Sequence, residues 1–415
     1  MFSHQTISPS YFPNLPLDFA SRIPLVSTYS TSLLKYLPTM AAEQAPSHHR
    51  ALVVESVGAD LRIEQRVTPD AVPGSVVVRI LASPVLSYQR DIYDGKRVYP
   101  FSTPIVGGCS AVGRVVLVGP DATVIQPGKL VWVDCVVRGR DDSEAVFLWG
   151  IHEGSIASSQ KLAREVWHDG TYAEFARVPL ENCIPLDEGR LCAGGDGGLG
   201  YSPRDLIYLW HLTVPFGGLR SVDVKPGETV VVCPATGGFG GAGAHVAAAL
   251  GARVIAMGRN EKELARLKTF IRKGIPSARI ETVRITGNRE ADTASLKAFG
   301  TIDAVLDLSP PAAAQSTHLL SAVSALRRGG RISIMGSVGL NIIEWQFLSN
   351  DLVAKAKLMY DREDLFLFVK MLEAGLFGRG GDFVETKYFA LEDWQEAFDE
   401  ATSYAGVGRI VAFSP

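Results

Sequence analysis

Three features of the sequence predict an α/β chain, with a doubly wound parallel sheet beside a β-rich, barrel-like domain. From about Asp205 onward, short β-branched runs alternate with helical stretches, the rhythm of strand–helix–strand units. From Arg50 to about Val118, short apolar strands alternate with turns. Within the first of these regions, a glycine-rich turn joins a buried strand to an alanine-rich helix.

In chain order, 51–54, 75–81 and 112–118 read as strands, punctuated by Pro73-Gly74, Gly119-Pro120 and Pro127-Gly128. Residues 139–169 are polar and irregular, and 170–179 return to strand. Residues 229–233 and 254–257 are the strands on either side of the glycine turn and its helix. Residues 280–285, 302–308 and 331–335 continue the parallel set, with a helix at 319–326 stopped by Gly329-Gly330. Residues 355–360 are expected to add a last strand. Residues 362–377 form an amphipathic helix, with apolar side chains at 365, 368, 369 and 372. A strand at 408–413 is expected to rejoin the first domain. The expected division is an extension at 1–48, the barrel-like domain at 49–204, a nucleotide domain at 205–361 and a return to the barrel at 362–415.

Each piece of the glycine turn has a mechanical task. The run Ala235-Thr236-Gly237-Gly238-Phe239-Gly240 follows a fully apolar strand. Gly237 and Gly238 let the backbone turn and approach a pyrophosphate, and Gly240 lets helix and strand pack closely. The helix N-terminus offers unpaired N–H groups and a positive dipole end to phosphates. Selection of a free ribose 2′-OH needs a carboxylate about 20 residues on. Gly258 stands there, followed by Arg259, with Lys262 just inside the next helix. A glycine makes room and a guanidinium pairs with a 2′-phosphate, so the expected cofactor is NADP(H).

Composition narrows the class. With 415 residues, 47% apolar and 20% charged, the chain is long enough for two domains around a large core. A net charge of −3 with mixed signs argues against nucleic acid and anionic membranes as partners. Residues 229–252 lack charge, but they hold Pro234, His245 and many glycines and read as strand plus helix rather than a membrane span. Five scattered cysteines without a C-x-x-C fit free thiols in a reducing compartment, hence a cytoplasmic protein. The first 48 residues read as a disordered extension, or as a start placed ahead of a natural one at Met40. A mitochondrial transit peptide at 1–39 is the competing reading, opposed by thin basic content and five prolines at 9, 13, 16, 24 and 38.

Four motifs resemble the medium-chain dehydrogenase/reductase superfamily, the alcohol dehydrogenase and quinone reductase group, over roughly residues 50–415. They are Pro104 to Gly119, Val124 to Val131 (with Lys129 where an acid is usual), Gly170-Thr-Tyr-Ala-Glu-Phe175, and Val224-Lys-Pro-Gly-Glu-Thr-Val leading into the glycine turn. The resemblance implies a GroES-like β-barrel catalytic domain, a Rossmann domain, a cleft between them, and a homodimer joined through the last Rossmann strand. It also locates departures. The family's catalytic-zinc positions fall at Leu86, at Cys109-Ser110 and near Leu209 or Trp210, and 136–182 hold no cysteine for a structural zinc. Catalytic zinc needs three protein ligands. His211 and Cys109 alone do not supply them, so no metal site is expected.

Without a Lewis acid, hydrogen-bond donors must stabilise the developing oxyanion, which suits a small-molecule substrate with an activated C=C or C=O: an enone, a quinone or an enoyl thioester. Tyr88, Ser87 and Ser110 are the candidate donors on segments that face the cleft in the family. Ser337 and Val338, after the last inner Rossmann strand, are expected near the nicotinamide. Cys109 reads as a small buried residue, and His152 and His168 as exposed loop histidines. Two inserts, 139–169 and the glycine run 194–200, are candidates for shaping or closing the substrate pocket, which suggests a specialised metabolite. Two other readings remain at this point: a metal-free alcohol dehydrogenase working with NADP, for which no general base is evident, and a degenerate protein that only binds NADP.

Overall fold

The strand Thr229–Cys233 is buried along its whole length and lies near the middle of a six-stranded, all-parallel sheet. The spatial order is Ile280–Arg284, Arg253–Gly258, Thr229–Cys233, Ala304–Asp307, Arg331–Ile334, Val353–Ala356. The chain therefore works outward to one side, returns, and works outward to the other, which is the doubly wound Rossmann order. This computed structural model describes residues 45–415, and these fall within a single compact unit. The readings of residues 1–44 as an extension, a transit peptide or a dispensable start at Met40 concern residues outside those described.

Period-two alternation explains why this sheet is covered on both faces. Val230, Val232, Val254 and Ala256 point into one core with Ala242, Ala244, Val246, Leu264 and Leu267 of the helices Gly238–Ala249 and Glu261–Gly274. Val231, Cys233, Ile255 and Met257 point the other way, against Leu296 of Arg289–Lys297 and Leu319 and Val323 of His318–Ala325. The helix Leu209–Ser221 was not expected. It is apolar all round, buried from Leu209 to Leu219, and carries Pro215 and two glycines, so it has no amphipathic signature to read.

The β-rich half is built on the long strand Ser75–Val85, which pairs antiparallel with Ala111–Val118, Phe175–Pro179 and Arg409–Phe413. Arg409–Phe413 also pairs parallel with Glu385–Phe389, so the terminal strand does rejoin the first sheet. A smaller antiparallel sheet holds His48–Val54 between Arg62–Val67 and Ile105–Val106. Three expectations shift. The last parallel strand is Val353–Ala356 rather than 355–360. The helix expected at 362–377 stops at Glu373, because Gly375 takes a left-handed conformation (φ 76°) that ends it. The irregular lobe at 139–169 contains one arm of a hairpin, Val146–Leu148, paired with Val136–Arg138, and a short helix Ala157–Lys161. Among the described residues, no helix is long and apolar enough to cross a membrane.

Candidate active site

A cleft of about 610 Å³ opens at the C-terminal edge of the parallel sheet, where ligands bind in folds wound this way. Pro234, Thr236, Gly237, Gly238, Phe239 and Gly240 form one wall of it. Gly237 caps the helix Gly238–Ala249 without a side-chain hydrogen bond, so the first N–H groups of that helix are not closed off by a cap. A Cβ at Gly237 would meet nothing within 4 Å, whereas one at Gly240 would overlap the Pro234 carbonyl. Glycine at 237 thus leaves open space in front of the helix, and glycine at 240 permits the tight packing behind it. Neither Gly237 (φ −84°) nor Gly238 needs glycine's conformational range, so approach rather than backbone freedom is the reason for the pair.

Two further walls come from the β-rich half and from the segments after the strands. Ser87, Tyr88, Arg97, Tyr99, Cys135, Leu148 and Ile151 line the cleft from the first. Ser309, His318, Met335, Ser337 and Lys357 line it from the second, with Arg259 at the rim. Trp210 and Phe239 meet edge to face at 5.4 Å, and His211 stacks on Phe239 at 5.0 Å. Burial pushes the His211 imidazole down to about 4, so it is neutral at pH 7. Burial holds the Tyr88 phenol well above its ordinary range, so it stays a donor at any working pH.

Comparison with known proteins places this architecture. The alcohol dehydrogenase GroES-like domain matches residues 72–188. Curated relatives include an alcohol dehydrogenase of Emericella nidulans, 28% identical over 230 residues (52% of this chain, 58% of the relative), and an acryloyl-coenzyme A reductase of Metallosphaera sedula, 26% identical over 220 residues (52% and 60%). The chain therefore spans about three fifths of the length of these relatives. Among solved structures, an alcohol dehydrogenase from E. coli CFT073 in complex with NADH superposes with a TM-score of 0.70 at 17% identity, covering 89% of this chain and all of that one.

The chain thus carries an alcohol dehydrogenase GroES-like domain at residues 72–188 and is similar to these dehydrogenases and reductases over about half its length.

Within the cleft, the structure brings together many of the residues singled out from sequence and separates others. Tyr88 and Ser87 line it, as do Thr236, Gly237, Gly238, Phe239, Gly240, Arg259 and Ser337. Ser110 does not. It is fully buried in the barrel, where its hydroxyl donates to Val133 O (2.6 Å) and accepts from Trp132 Nε1 (3.1 Å), so both its functions are spent on packing. Ala235 is buried behind the turn, its N–H donating to Met257 O (2.7 Å). Lys262 is exposed on the helix and away from the cleft wall, and Val338 points to solvent. Gly258 is buried, but the room expected there is already filled: a Cβ would lie 2.5 Å from Thr236 Cγ2 and 3.1 Å from Leu264 Cδ2. Arg259 is exposed and forms no ion pair among the described residues.

The remaining expectations divide similarly. Of the two inserts, 139–169 reaches the cleft through Leu148 and Ile151, while 194–200 does not line it. His152 and His168 are half-buried rather than exposed. His152 packs edge-on to Tyr99 at 5.3 Å, and His168 pairs with Asp169 at 3.1 Å. Leu86 is buried at the first zinc position, and Cys109 is a buried thiol raised far above its usual range by desolvation.

Three groups of residues escaped the sequence reading. Arg97 and Tyr99 lie on a loop with no motif around them. Tyr360 donates to Asp134 Oδ1 (2.6 Å), and Trp210 Nε1 to Cys135 Sγ (3.3 Å); these pairs tie the barrel to the segments flanking the nucleotide fold. Asp307, Ser309 and His318 form a buried chain, with Ser309 Oγ 2.5 Å from Asp307 Oδ1 and 2.8 Å from His318 Nε2. Cys233, Asp307 and His318 also place potential ligand atoms within 4.8 Å of one another, a grouping the metal-free reading did not foresee. Ser309 stands hydrogen-bonded between two of its members. The position of Ser309, just past a predicted strand's C-terminus, was the signal available for this group.

Proposed function

We propose that this chain is an NADPH-dependent, zinc-independent oxidoreductase that reduces an activated C=C or C=O bond in a small molecule of enone, quinone or enoyl type. One observation carries the reading. A single cleft holds an open helix N-terminus, an unpaired Arg259, a protonated Tyr88 and an apolar wall of Trp210, Leu148 and Ile151. The first part fits a dinucleotide phosphate, and Arg259 fits a 2′-phosphate where an acid would have repelled it. The nicotinamide supplies hydride when bound. Thr236 and Gly237 would face the pyrophosphate, and Phe239 and Ser337 the nicotinamide end.

The chain's own residues then supply the rest. Tyr88 is placed to donate a hydrogen bond to the oxygen where charge develops, and its hydroxyl donates to none of the described residues, so it is free for a substrate. Ser87 is a second donor on the same wall. A substrate seated against the aromatic and aliphatic lining would displace water from the cleft, which would strengthen that bond. Leucine at position 86 offers no ligand atom, so the three-ligand arrangement of a catalytic zinc is not assembled there. Relatives named as an alcohol dehydrogenase and as an acyl-thioester reductase both occur. The edge strand Val353–Ala356 is exposed at all four residues, which supports pairing with a second copy in a homodimer. Five unpaired cysteines support a cytoplasmic setting.

The test is a titration of EDTA-treated full-length protein with NADPH and NADH, followed by nicotinamide fluorescence, with metal content measured on the same sample and an enone and quinone panel after it. Tighter binding of NADPH, no stoichiometric zinc and NADPH consumption with the panel are expected. A preference for NADH would refute the role of Arg259, and stoichiometric zinc tied to activity would return the metal-dependent alcohol mechanism.

A further inference from the structure

Arg97 follows the short helix Gln89–Tyr93, its N–H donating to Asp91 O at 2.8 Å. The guanidinium lies over the Tyr88 ring at 3.9 Å and near the Tyr99 ring at 4.9 Å. Nη2 donates to the Tyr99 hydroxyl (3.0 Å), the one hydrogen bond this group makes among the described residues, and Nε is buried without a partner. No carboxylate among the described residues pairs with it. Other arginines of the β-rich half differ in this: Arg50, Arg62, Arg66 and Arg114 each hold an acidic partner.

A guanidinium cannot shed its charge in a protein. Two phenol rings attract it, but they do not neutralise it, and the Tyr99 hydroxyl satisfies only one of its N–H donors among the described residues. The cleft wall therefore carries a standing positive charge with N–H donors in the plane of the fork, next to the proposed oxyanion donor Tyr88. A carboxylate matches such a fork in both charge and geometry, and two parallel hydrogen bonds would form.

We propose that Arg97 is a substrate-anion subsite, and that the molecule reduced here carries a carboxylate besides its activated double bond. The inference rests on the reductase reading of the cleft. Leu148, Ile151, Trp210 and Val214 line the same space and suit an aromatic or alkyl body between the two groups. The substrate class is thus an amphipathic unsaturated acid rather than a neutral enone.

The experiment uses the full chain loaded with NADPH. Turnover is measured on trans-3-benzoylacrylate and on its methyl ester, and calorimetric binding on the saturated pair, 3-benzoylpropionate and its ester. NADPH binding of each variant reports that it has folded. The wild type is expected to favour the acid in kcat/KM. Arg97→Met is expected to lower the acid-to-ester ratio by about ten- to hundredfold, mainly through KM, the range of one lost charged hydrogen-bonding partner. Arg97→Lys should keep part of the preference. No acid preference in the wild type, or an equal loss for acid and ester in Arg97→Met, overturns the subsite. If NADPH binds but neither substrate turns over, the reductase reading fails by itself. The binding arm then decides the subsite: weaker acid binding in Arg97→Met than in wild type supports it, and equal or absent binding overturns it.

Discussion

His245 sits in the middle of the helix Gly238–Ala249 with no exposed surface, edge-on to Phe270 (5.5 Å) and Phe377 (5.1 Å), and neither ring nitrogen has a hydrogen-bond partner. Burial pushes its imidazole down to about 3. In the unfolded chain the same group titrates near its ordinary value of about 6.5. The folded pKa is depressed, so the stability this histidine confers is present above about 6.5 and is lost as pH falls from there toward 3. Between pH 7 and pH 5 the unfolded chain takes up about three quarters of a proton that the folded chain refuses, a loss of about 2 kcal/mol from this residue. His245→Leu removes the titration while keeping an apolar side chain between the two rings. Urea unfolding of wild type and variant, followed by tryptophan fluorescence at pH 7 and pH 5 without cofactor, gives the comparison. The drop in unfolding free energy between the two pH values should be smaller in His245→Leu by about 2 kcal/mol. Equal drops would refute the argument and would mean that water or an unseen partner reaches the ring.

Three other outcomes follow from the site. Arg259→Ala should raise the NADPH dissociation constant about tenfold, the lower end for a charged hydrogen bond because the side chain is exposed and screened, and so reduce the NADPH-to-NADH selectivity measured by fluorescence titration; equal weakening of both nucleotides would remove the 2′-phosphate role. Tyr88→Phe should lower kcat on an enone about a hundredfold with little change in KM, and an unchanged kcat in steady-state assays would remove Tyr88 as the oxyanion donor. Tyr360→Phe leaves the buried Asp134 with Val136 N–H and a longer contact to Arg138, and should cost about 1.5–3 kcal/mol in urea unfolding; a neutral result would mean that Asp134, whose pKa burial raises, is protonated at neutral pH.

Where strand and turn chemistry are local, the sequence reports them directly. Thr229–Cys233 is a β-branched run that ends in glycines, and the fold places it in the centre of the parallel sheet. Arg259 was found by counting along the chain, because the strand-to-strand distance in such a unit is nearly fixed. Side-chain direction was harder. Ser110 lies in a motif that faces the cleft in the family, yet its hydroxyl turns into the barrel to meet Val133 O. The sequence suggests an opening at Gly258, but the neighbour that closes it, Thr236, is visible only once both strands are in register. Contacts between distant positions were out of reach altogether. Asp134 and Tyr360 are separated by 226 residues, and nothing around either announces the other. A loop arginine such as Arg97 looks like any solvated cation until its two tyrosines and its missing carboxylate are seen together.

The strand Arg409–Phe413 closes against Ser75–Val85, so a sheet begun near the front of the described chain is finished by residues more than three hundred positions later. During synthesis the entire parallel-sheet half leaves the ribosome before that edge of Ser83–Val85 has its partner. The nucleotide half has all its strands between Thr229 and Ala356, and it can assemble while the other half still waits with an unpaired edge. The two halves are therefore unequal in time as well as in structure. The strand Arg409–Phe413 is a latch whose loss would leave the parallel sheet intact but the β-rich half open, sticky and slow to fold.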